Sequence, residues 1–380
     1  MAYTYVIAGA GLSGSSFARI IAERGHKVLV IEKRNHIAGN LYDEKDSNGI
    51  LIHKYGPHIF HTNNENVYNF IKRFSKWTPY KLKCAVEMCG KNTPSPFNFT
   101  TIDQFYQSEQ ANSLKSILQT RYPGQKTVTI VELMQCENSL VKEYAQFLFE
   151  NDYSLYTAKQ WGINPSDIDI NVLKRVPVRL DYEDAYFSDK YECLPETGYT
   201  QFISSMLSHP NIDIQLQTNA LDFIQLSENK ISFNQVDVET DCKFIYTGPI
   251  DQLFSYKFGK LPYRSLYFDF QTHQKNSFQN APVVAYPQVK DFTRITEYKK
   301  LPIQNVRGVT TIAVEYPVQY SESKNNEPYY PIPTDANINN YLQYKTEAAK
   351  YSNLVLCGRL AEYKYYNMDQ AIEAVLHATM

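Results

Sequence analysis

The stretch YTYVIAGAGLSGSSFARIIAERGHKVLVIEKR, residues 3–34, decides the fold of this chain. Its apolar residues 5–8 predict a short strand buried in a parallel sheet. The G-x-G-x-x-G pattern that follows predicts a tight turn into a helix, whose spacing of apolar residues favours one face packed on that sheet. Residues 28–31 predict a second strand, and an acidic residue, Glu32, stands at its carboxyl end.

Each part of this pattern has a physical function in binding a dinucleotide. Gly9 permits the tight turn, Gly11 lets a pyrophosphate approach the backbone, and Gly14 lets helix and strand pack closely. The helix N-terminus attracts phosphate, and Glu32 accepts hydrogen bonds from ribose hydroxyls. The plainer alternative is a glycine turn in an ordinary strand–helix–strand unit. Because Glu32 would repel the 2′-phosphate of NADP, the residues leave FAD and NAD as candidate cofactors.

Composition excludes several other classes of protein. The chain has 380 residues, a net charge of −2 and 43% hydrophobic residues, with a mean hydropathy of −0.43. This balance gives no support to binding of nucleic acid or insertion into a membrane. The six cysteines form no C-x-x-C pair, so we expect neither a disulfide framework nor a zinc site, and we expect a cytoplasmic protein.

Three of the eight histidines lie between residues 53 and 61, in the segment HKYGPHIFHT. A metal site is not expected, because the segment offers no nearby set of carboxylates or cysteines as further ligands. For His53 we expect burial in the core. His58 and His61 are candidates for the lining of a binding site.

Motifs further along the chain resemble a known family. The segment EKRNHIAGN, residues 32–40, is similar to an extension found in flavoproteins of the amine oxidase and related mutase type, although Ala38 replaces one glycine. Further motifs follow in order: HKYGPHIFHTNN (53–64), YTAKQWG (156–162), LKRVPVR (173–179), YFSDKY (186–191), YTGPID (246–251), TRITEYK (293–299), EPYYPIP (327–333) and GRLAEYKYYNMDQ (358–370). Together they resemble the bacterial UDP-galactopyranose mutase family along nearly the whole chain.

The resemblance implies an α/β architecture with a doubly wound, Rossmann-like FAD-binding domain, a helical insertion and an antiparallel sheet layer. The FAD-binding domain would be discontinuous. We expect it to comprise residues 1–80, 192–248 and 340–380, with a helical domain at 100–165 and an antiparallel sheet domain from 81–99, 166–191 and 249–339.

The resemblance also implies the activity, an isomerase reaction without net redox change. FAD would be the cofactor and would have to be reduced, because flavin N5 attacks the anomeric carbon of a nucleotide sugar. UDP-galactopyranose and UDP-galactofuranose would be the substrates, in the biosynthesis of cell-surface polysaccharide. We expect a homodimer and a reductant such as NAD(P)H.

Residue roles follow from the glycine pattern and from the matched motifs. The catalytic residues would be Arg175, Arg294 and His61. The cofactor would be bound by Gly9, Gly11, Ser13, Gly14, Glu32, Lys33, Arg34, Gly39, Asn40, His58, Ile59, His61, Arg359, Met368 and Asp369. The substrate would be bound by Tyr156, Trp161, Arg175, Tyr186, Arg294, Tyr330 and Tyr365. A helix starting near Met368 would turn its N-terminal amides toward the flavin, with Asp369 as its cap.

This sequence departs from the family's usual pattern where the nucleotide base would bind. Asp152 and Tyr153 replace two phenylalanines, Val284 or Ala285 replaces an asparagine, and Asn367 replaces an aspartate. Three alternatives therefore stay open for the substrate or the class. These are mutase chemistry on dTDP-fucopyranose or UDP-N-acetylgalactosamine, a flavin oxidoreductase of the amine oxidase type, and a non-catalytic module that binds a nucleotide sugar.

Overall fold

The computed structural model describes residues 2–161, 176–227, 229–324 and 326–379. Its α-helices are α1 (Leu12–Glu23), α2 (Glu65–Ile71), α3 (Phe99–Phe105), α4 (Ser108–Arg121), α5 (Ile130–Gln135), α6 (Ser139–Leu148), α7 (Ser154–Trp161), α8 (Tyr199–Leu207), α9 (Ile250–Leu253), α10 (Asp335–Ala348) and α11 (Met368–Ala378). A π-helical turn, Phe149–Tyr153, joins α6 to α7, and 3-10 turns span Gly39–Leu41, Ala220–Phe223 and Glu322–Lys324.

The strands follow the same chain order. They are β1 (Tyr3–Ala8), β2 (Val28–Ile31), β3 (Asp43–Lys45), β4 (Leu51–His53), β5 (Phe60–Thr62), β6 (Trp77–Pro79), β7 (Cys84–Met88), β8 (Lys91–Ser95), β9 (Thr127–Val128), β10 (Val178–Arg179), β11 (Tyr191–Pro195), β12 (Ile212–Gln215), β13 (Ile224–Leu226), β14 (Ile231–Phe233), β15 (Val238–Tyr246), β16 (Tyr263–His273), β17 (Val283–Ala285), β18 (Arg294–Glu297), β19 (Thr310–Gln319), β20 (Tyr330–Pro331) and β21 (Leu354–Leu356).

A five-stranded parallel sheet in the order β12-β2-β1-β15-β21 carries the predicted strand–helix–strand unit. Both predicted strands are confirmed, because residues 5–8 lie within β1 and residues 28–31 form β2. Alternate residues pack on opposite faces, as the pleat of a strand requires. Ile7 and Val30 join the core beneath α1, α8 and α11, whereas Val6 and Leu29 join the core on the side of α10. Helices thus cover both faces, and the predicted α/β doubly wound fold is confirmed.

The helical region has a core of its own. Helices α3 to α7 run between residues 99 and 161, and the apolar faces of α3 to α6 form one cluster that includes Leu114, Val141 and Tyr144. Thr129 caps α5 by a reciprocal exchange with Glu132, and Asn138 caps α6. These side chains satisfy amides that a helix N-terminus leaves without partners, so the short helices begin at defined residues.

The second large sheet has seven strands in the order β20-β16-β19-β18-β17-β7-β8. Its pairs are antiparallel except β17 with β7, which run parallel. The sequence predicted an antiparallel layer with a contribution from residues 166–191. In the described part of that segment, Val178–Arg179 instead pairs with β9 of the helical region. The division into three domains stays a prediction.

Candidate active site

Two glycines of the turn after β1 lie so close to other atoms of the protein that a side chain would not fit there. Gly9 has φ +109°, and a Cβ there would lie 2.2 Å from Thr247 Oγ1. A Cβ on Gly14 would lie 2.0 Å from the carbonyl oxygen of Gly9. Gly11 differs, since its Cβ would have only an ordinary 3.7 Å contact with Gly39 Cα. Packing within the protein therefore requires glycine at positions 9 and 14. Packing does not require it at Gly11, where the lack of a side chain leaves free space beside the backbone of the turn.

Glu32 is tied to this turn by hydrogen bonds. One carboxylate oxygen accepts from the amide of Ala10 at 2.8 Å and the other from the amide of Arg34 at 3.0 Å. The side chain is buried, with 5% exposure. The end of β2 and the glycine turn are thus held together by a carboxylate at the position predicted for ribose recognition.

A cavity of about 250 Å³ opens at the carboxyl ends of β1, β2 and β15. Ligands of doubly wound folds bind at this edge of the sheet. The predicted cofactor-binding residues that line it are Gly9, Gly11, Ser13, Gly14, Glu32, Lys33, Arg34, Gly39, Asn40, His58, Arg359 and Met368. The structure thus brings together residues from both ends of the chain.

Other residues of the lining were not assigned to it from the sequence. They are Asn219–Leu221, Tyr246–Pro249, Gln252, Glu327–Tyr329 and Tyr366–Asn367, among others. Three of these stretches belong to the motifs YTGPID, EPYYPIP and GRLAEYKYYNMDQ, so the signal was present in the sequence. It could not be read as cofactor contact without the sheet order, which places β15 beside β1.

Arg34 is a buried cation on the wall of the cavity. Its Nη2 lies 2.8 Å from Glu327 and 2.9 Å from Asn40 Oδ1, and its guanidinium lies 4.6 Å from the centre of the Tyr55 ring. Nε and Nη1 are buried and have no hydrogen-bond partner among the described residues. Burial would lower the pKa of Arg34, but the charge of Glu327 outweighs it and raises the pKa. Two donors on a permanent cation are therefore available to an anionic ligand.

The three histidines of the 53–61 segment have different environments. His53 is buried in the core, as predicted, and burial lowers its pKa to about 4. His58 lines the cavity. Burial, with His53 and Arg359 nearby, lowers the pKa of His58 to about 3, so both rings are neutral at physiological pH.

His61 turns toward another part of the chain. Its ring stacks on Phe187 with centroids 3.8 Å apart, and its Nδ1 lies 2.9 Å from Asp189. It is absent from the cavity lining, as is Ile59, which packs in the core below α1. Contact of either residue with a cofactor stays a prediction.

The C-terminal helix α11 begins at Met368, the residue predicted from the sequence. Its N-cap is Asn367, whose amide donates to Gln370 Oε1 at 3.0 Å. The prediction that Asp369 is the cap residue is wrong, although Asp369 accepts from the first-turn amide of Gln370 at 2.8 Å. Because Asn367 and Met368 line the cavity, the positive end of this helix faces it.

Arg294, a partly buried cation, forms an ion pair with the buried Glu315 beside Tyr156. Its Nε and Nη2 lie 2.8 and 2.7 Å from Glu315 Oε2. Burial opposes the charge, but Glu315 raises the pKa of Arg294 above its ordinary value. Burial also raises the pKa of Tyr156, and the positive charge of Arg294 only partly opposes this shift. The phenol of Tyr156 therefore stays a hydrogen-bond donor next to a permanent cation.

Two further tyrosines from the predicted substrate set are stacked on each other. The rings of Tyr330 and Tyr365 are 5.2 Å apart and inclined by 15°. The guanidinium of Arg359 lies 4.6 Å from the centre of the Tyr330 ring, and that of Arg264 lies 5.0 Å from it. Arg264 was not predicted from the sequence, because nothing local marks an arginine in a long strand as a partner of a tyrosine 66 residues away.

The remaining predicted substrate residues lie apart from these groups or outside the described residues. Tyr186 packs against the core and makes an edge contact with Phe187, with ring centres 4.9 Å apart. Arg175 and the side chain of Trp161 lie outside the described residues.

The fold and this cavity define a protein with a Rossmann-like dinucleotide-binding domain, and the comparisons agree. Residues 7–74 match the model of the NAD(P)-binding Rossmann-like domain, and residues 151–365 match the model of UDP-galactopyranose mutase. The chain is 37% identical to the UDP-galactopyranose mutase of Mycoplasma genitalium, over 97% of this chain and 92% of that protein. It is 33% identical to the dTDP-fucopyranose mutase of Escherichia coli, over 98% of this chain and 96% of that protein.

A solved structure shares the fold. The crystal structure of a reduced UDP-galactopyranose mutase matches with a TM-score of 0.71, over 99% of this chain and 95% of that chain, at 18% identity. The chain belongs to the UDP-galactopyranose mutase family, as the sequence motifs predicted, and it is therefore an isomerase of the pyranose–furanose mutase type. None of the helices in the described ranges is long and apolar enough to cross a membrane.

Proposed function

We propose that this chain interconverts UDP-galactopyranose and UDP-galactofuranose with reduced FAD as its cofactor. The observation that carries the proposal is the position of Arg359. It lines the dinucleotide cavity, and its guanidinium also lies 4.6 Å and 5.5 Å from the centres of the Tyr330 and Tyr365 rings. One residue thus joins a cavity suited to a dinucleotide to an aromatic cluster suited to a nucleotide sugar.

Two features of the cavity support FAD. Gly11 leaves open the space in front of the glycine turn, where a pyrophosphate would approach the amides at the start of α1. The buried Nε and Nη1 of Arg34 are donors without partners among the described residues, and they suit an anionic or carbonyl-rich ligand. Glu327 holds Arg34 in place, so these donors are oriented before the cofactor binds.

The diphosphate of the substrate would be held by arginine. Glu315 occupies one edge of the Arg294 guanidinium, and no hydrogen bond from the remaining nitrogen, Nη1, is found within the described ranges. That donor suits a phosphate oxygen. Arg175 is proposed as the second diphosphate ligand from its motif alone. The tyrosines Tyr156, Tyr330 and Tyr365 would stack on the base or donate to phosphate.

The protein's own residues then perform binding and retention. When bound and reduced, FAD supplies the nucleophile for the anomeric carbon. Arg294 keeps the departing diphosphate in the site, so that it returns to the same carbon after the sugar ring has closed through its other oxygen. The N-terminal amides of α11 place positive potential at the cavity, which favours an anionic reduced cofactor.

A second substrate is favoured by a specific observation. The Escherichia coli relative named dTDP-fucopyranose mutase is nearly as similar as the UDP-galactopyranose mutases, and this chain departs from the usual residues near Tyr156. Asp152 stands where the family usually has a phenylalanine, and burial raises the pKa of its carboxyl to about 7. dTDP-fucopyranose is therefore the second candidate, ahead of UDP-N-acetylgalactosamine.

The proposal includes the setting of the reaction. The enzyme would work in the cytoplasm as a homodimer, with NAD(P)H or a similar reductant to keep the flavin reduced. Its product would enter the biosynthesis of cell-surface polysaccharide. Sedimentation and spectroscopic titration with NADH and NADPH test the oligomeric state and the reductant.

The deciding experiment incubates dithionite-reduced enzyme, without oxygen, with UDP-galactofuranose and with dTDP-fucofuranose, and separates the products by chromatography. We expect rapid formation of the pyranose from UDP-galactofuranose, none with oxidised enzyme, and no stoichiometric consumption of reductant. Equal turnover by oxidised enzyme, or stoichiometric oxidation of an added donor, would favour a flavin oxidoreductase. A chain purified without flavin, and unable to bind FAD, would point to a binding module.

A further inference from the structure

The ammonium group of Lys159 lies inside a ring of backbone carbonyl oxygens. Nζ lies within hydrogen-bonding distance of four carbonyl oxygens, those of Tyr286 at 2.6 Å, Phe292 at 2.7 Å, Pro287 at 3.3 Å, and Val289, and its three N–H groups are shared among them. All four belong to the loop of residues 286–292, so one side chain contacts both ends of the loop and its middle. The loop is also held by Gln288, which donates to Asn151 Oδ1 at 2.9 Å and accepts from the amide of Cys89 at 2.9 Å. Such a ring is a binding site for a cation, occupied here by a lysine of another element.

The ring is neutral, which distinguishes it from an ordinary salt bridge. No ion pair of Lys159 with a carboxylate is found within the described ranges, although Asp152 and Asp291 are near enough to act on it. Burial lowers the pKa of Lys159 to about 8 against the pull of these two charges. The geometry of the four carbonyls, rather than a charge pair, holds the ammonium in place.

The two elements joined by this ring carry residues of the proposed substrate site. Lys159 follows Tyr156 by three residues, so both lie on one side of α7. The loop connects β17 to β18, and β18 begins with Arg294. The two ends of the loop are joined by a hydrogen bond, 2.8 Å long, from the amide of Tyr286 to the carbonyl of Thr293. The position of the loop therefore fixes the position of Arg294 relative to Tyr156.

We propose that Lys159 is a positioning residue for the substrate site. Its ammonium is the cation around which the 286–292 loop folds, and it keeps Arg294 in register with Tyr156 when the diphosphate binds. The inference rests on the proposed function for the role of these two residues. The contact of the Lys159 ammonium with the 286–292 loop, called the clamp below, rests only on the four carbonyl contacts.

The first test is chemical rescue of Lys159→Ala. This variant leaves the carbonyl ring without its cation and removes the atoms that n-propylammonium would replace. We expect kcat/KM to fall about 100-fold, as misplacement of a ligand-positioning group by about 1 Å can cost. Added n-propylammonium should raise the kcat/KM of this variant at least tenfold. Tetramethylammonium, which has no N–H donor, should not raise it. Lys159→Met fills the space without a charge and should be equally impaired and not rescued.

The second test measures the loop without reference to activity. Lys290 is an exposed residue of the loop and a site for trypsin. Opening of the loop should raise the rate of cleavage after Lys290 at least tenfold in Lys159→Ala, measured by mass spectrometry, and n-propylammonium should slow it again. Lys142→Ala, on the exposed face of α6, is the matched control and should leave both measurements unchanged.

The outcomes separate the two proposals. Wild-type turnover and unchanged cleavage at Lys290 in Lys159→Ala would overturn the clamp, as would a loss of activity that n-propylammonium does not restore while cleavage stays unchanged. Faster cleavage at Lys290 in Lys159→Ala that n-propylammonium reverses, together with no mutase activity in the wild-type chain, would keep the clamp and overturn the proposed function. If Lys159→Ala does not fold, Lys159→Arg must retain more activity than Lys159→Gln, since only arginine keeps a cation for the ring.

Discussion

The guanidinium of Arg294 meets the carboxylate of Glu315 through a single oxygen, at 2.8 Å from Nε and 2.7 Å from Nη2. The two residues are directly opposite each other in β18 and β19, and Glu315 is 2% exposed. Glu315 thus fixes the orientation of the guanidinium by binding its Nε and Nη2 edge. This pair is the basis of the first prediction.

Arg294→Ala should lose about 1.5–3 kcal/mol of transition-state stabilisation, or about 10- to 150-fold in kcat/KM, because a charge-assisted contact with the diphosphate is removed. Arg294→Lys should recover only part of it, since a point charge does not reproduce the planar fork. The measurement is steady-state turnover of the furanose by reduced enzyme. Flavin content is the control and should not change.

Glu315→Gln separates the orientation of the Arg294 guanidinium from its contact with the diphosphate. It keeps a side chain of the same size and leaves the charge of Arg294, so we expect a smaller loss of kcat/KM than in Arg294→Ala, with the greater effect on KM. If Arg294→Ala retains normal turnover, the proposed diphosphate site is wrong.

Gly11→Val should yield a folded protein without flavin. A Cβ at this position has ordinary contacts within the protein, and the added methyl groups would occupy the space of the pyrophosphate. The absorbance at 450 nm and the melting temperature together check this prediction. Gly14→Ala is the contrasting variant and should fail to fold stably, because its Cβ collides with the carbonyl of Gly9. Full flavin occupancy in Gly11→Val would show that the turn does not hold the dinucleotide.

Arg34→Ala should weaken FAD binding far more than Lys33→Ala. The side chain of Arg34 is 13% exposed and that of Lys33 is 53% exposed, although both pair with Glu327. Exposed pairs contribute about 0–1 kcal/mol, whereas loss of a buried charged donor to a ligand costs about 1.5–3 kcal/mol. Titration of the apoprotein with FAD measures the difference. Equal affinities in the two variants would contradict the role of Arg34.

Acidification should destabilise the protein through His53. Its folded pKa of about 4 lies below the ordinary 6.5, so between these values the unfolded chain binds a proton that the native ring does not. The stability contributed by the neutral ring is present above pH 6.5 and is lost as the pH falls toward 4, by about 2 kcal/mol at pH 5. Urea unfolding at pH 7 and pH 5 measures this. His53→Gln should lose less stability over the same interval, and an equal loss would refute the assignment.

Local patterns predicted the part of the cofactor cavity that is formed by the glycine turn and the end of β2. Glu32 and the glycine turn were predicted from spacing alone, because the strand period, the helix period and the freedom of glycine act over a few residues. The start of α11 at Met368 was predicted in the same way. The nearby cap was mistaken, since Asn367 and Asp369 both accept hydrogen bonds readily and their spacing does not decide between them.

The sequence by itself thus determined the doubly wound nucleotide-binding fold, the family and part of the cavity lining. Only the tertiary structure decided which distant groups meet. His61 reaches Asp189 across 128 residues, and Lys159 reaches the 286–292 loop across 127 to 133 residues. Strand register places Glu315 opposite Arg294. Periodicity and turn chemistry are short-range, whereas these contacts depend on sheet order and on packing between elements, which no local pattern encodes.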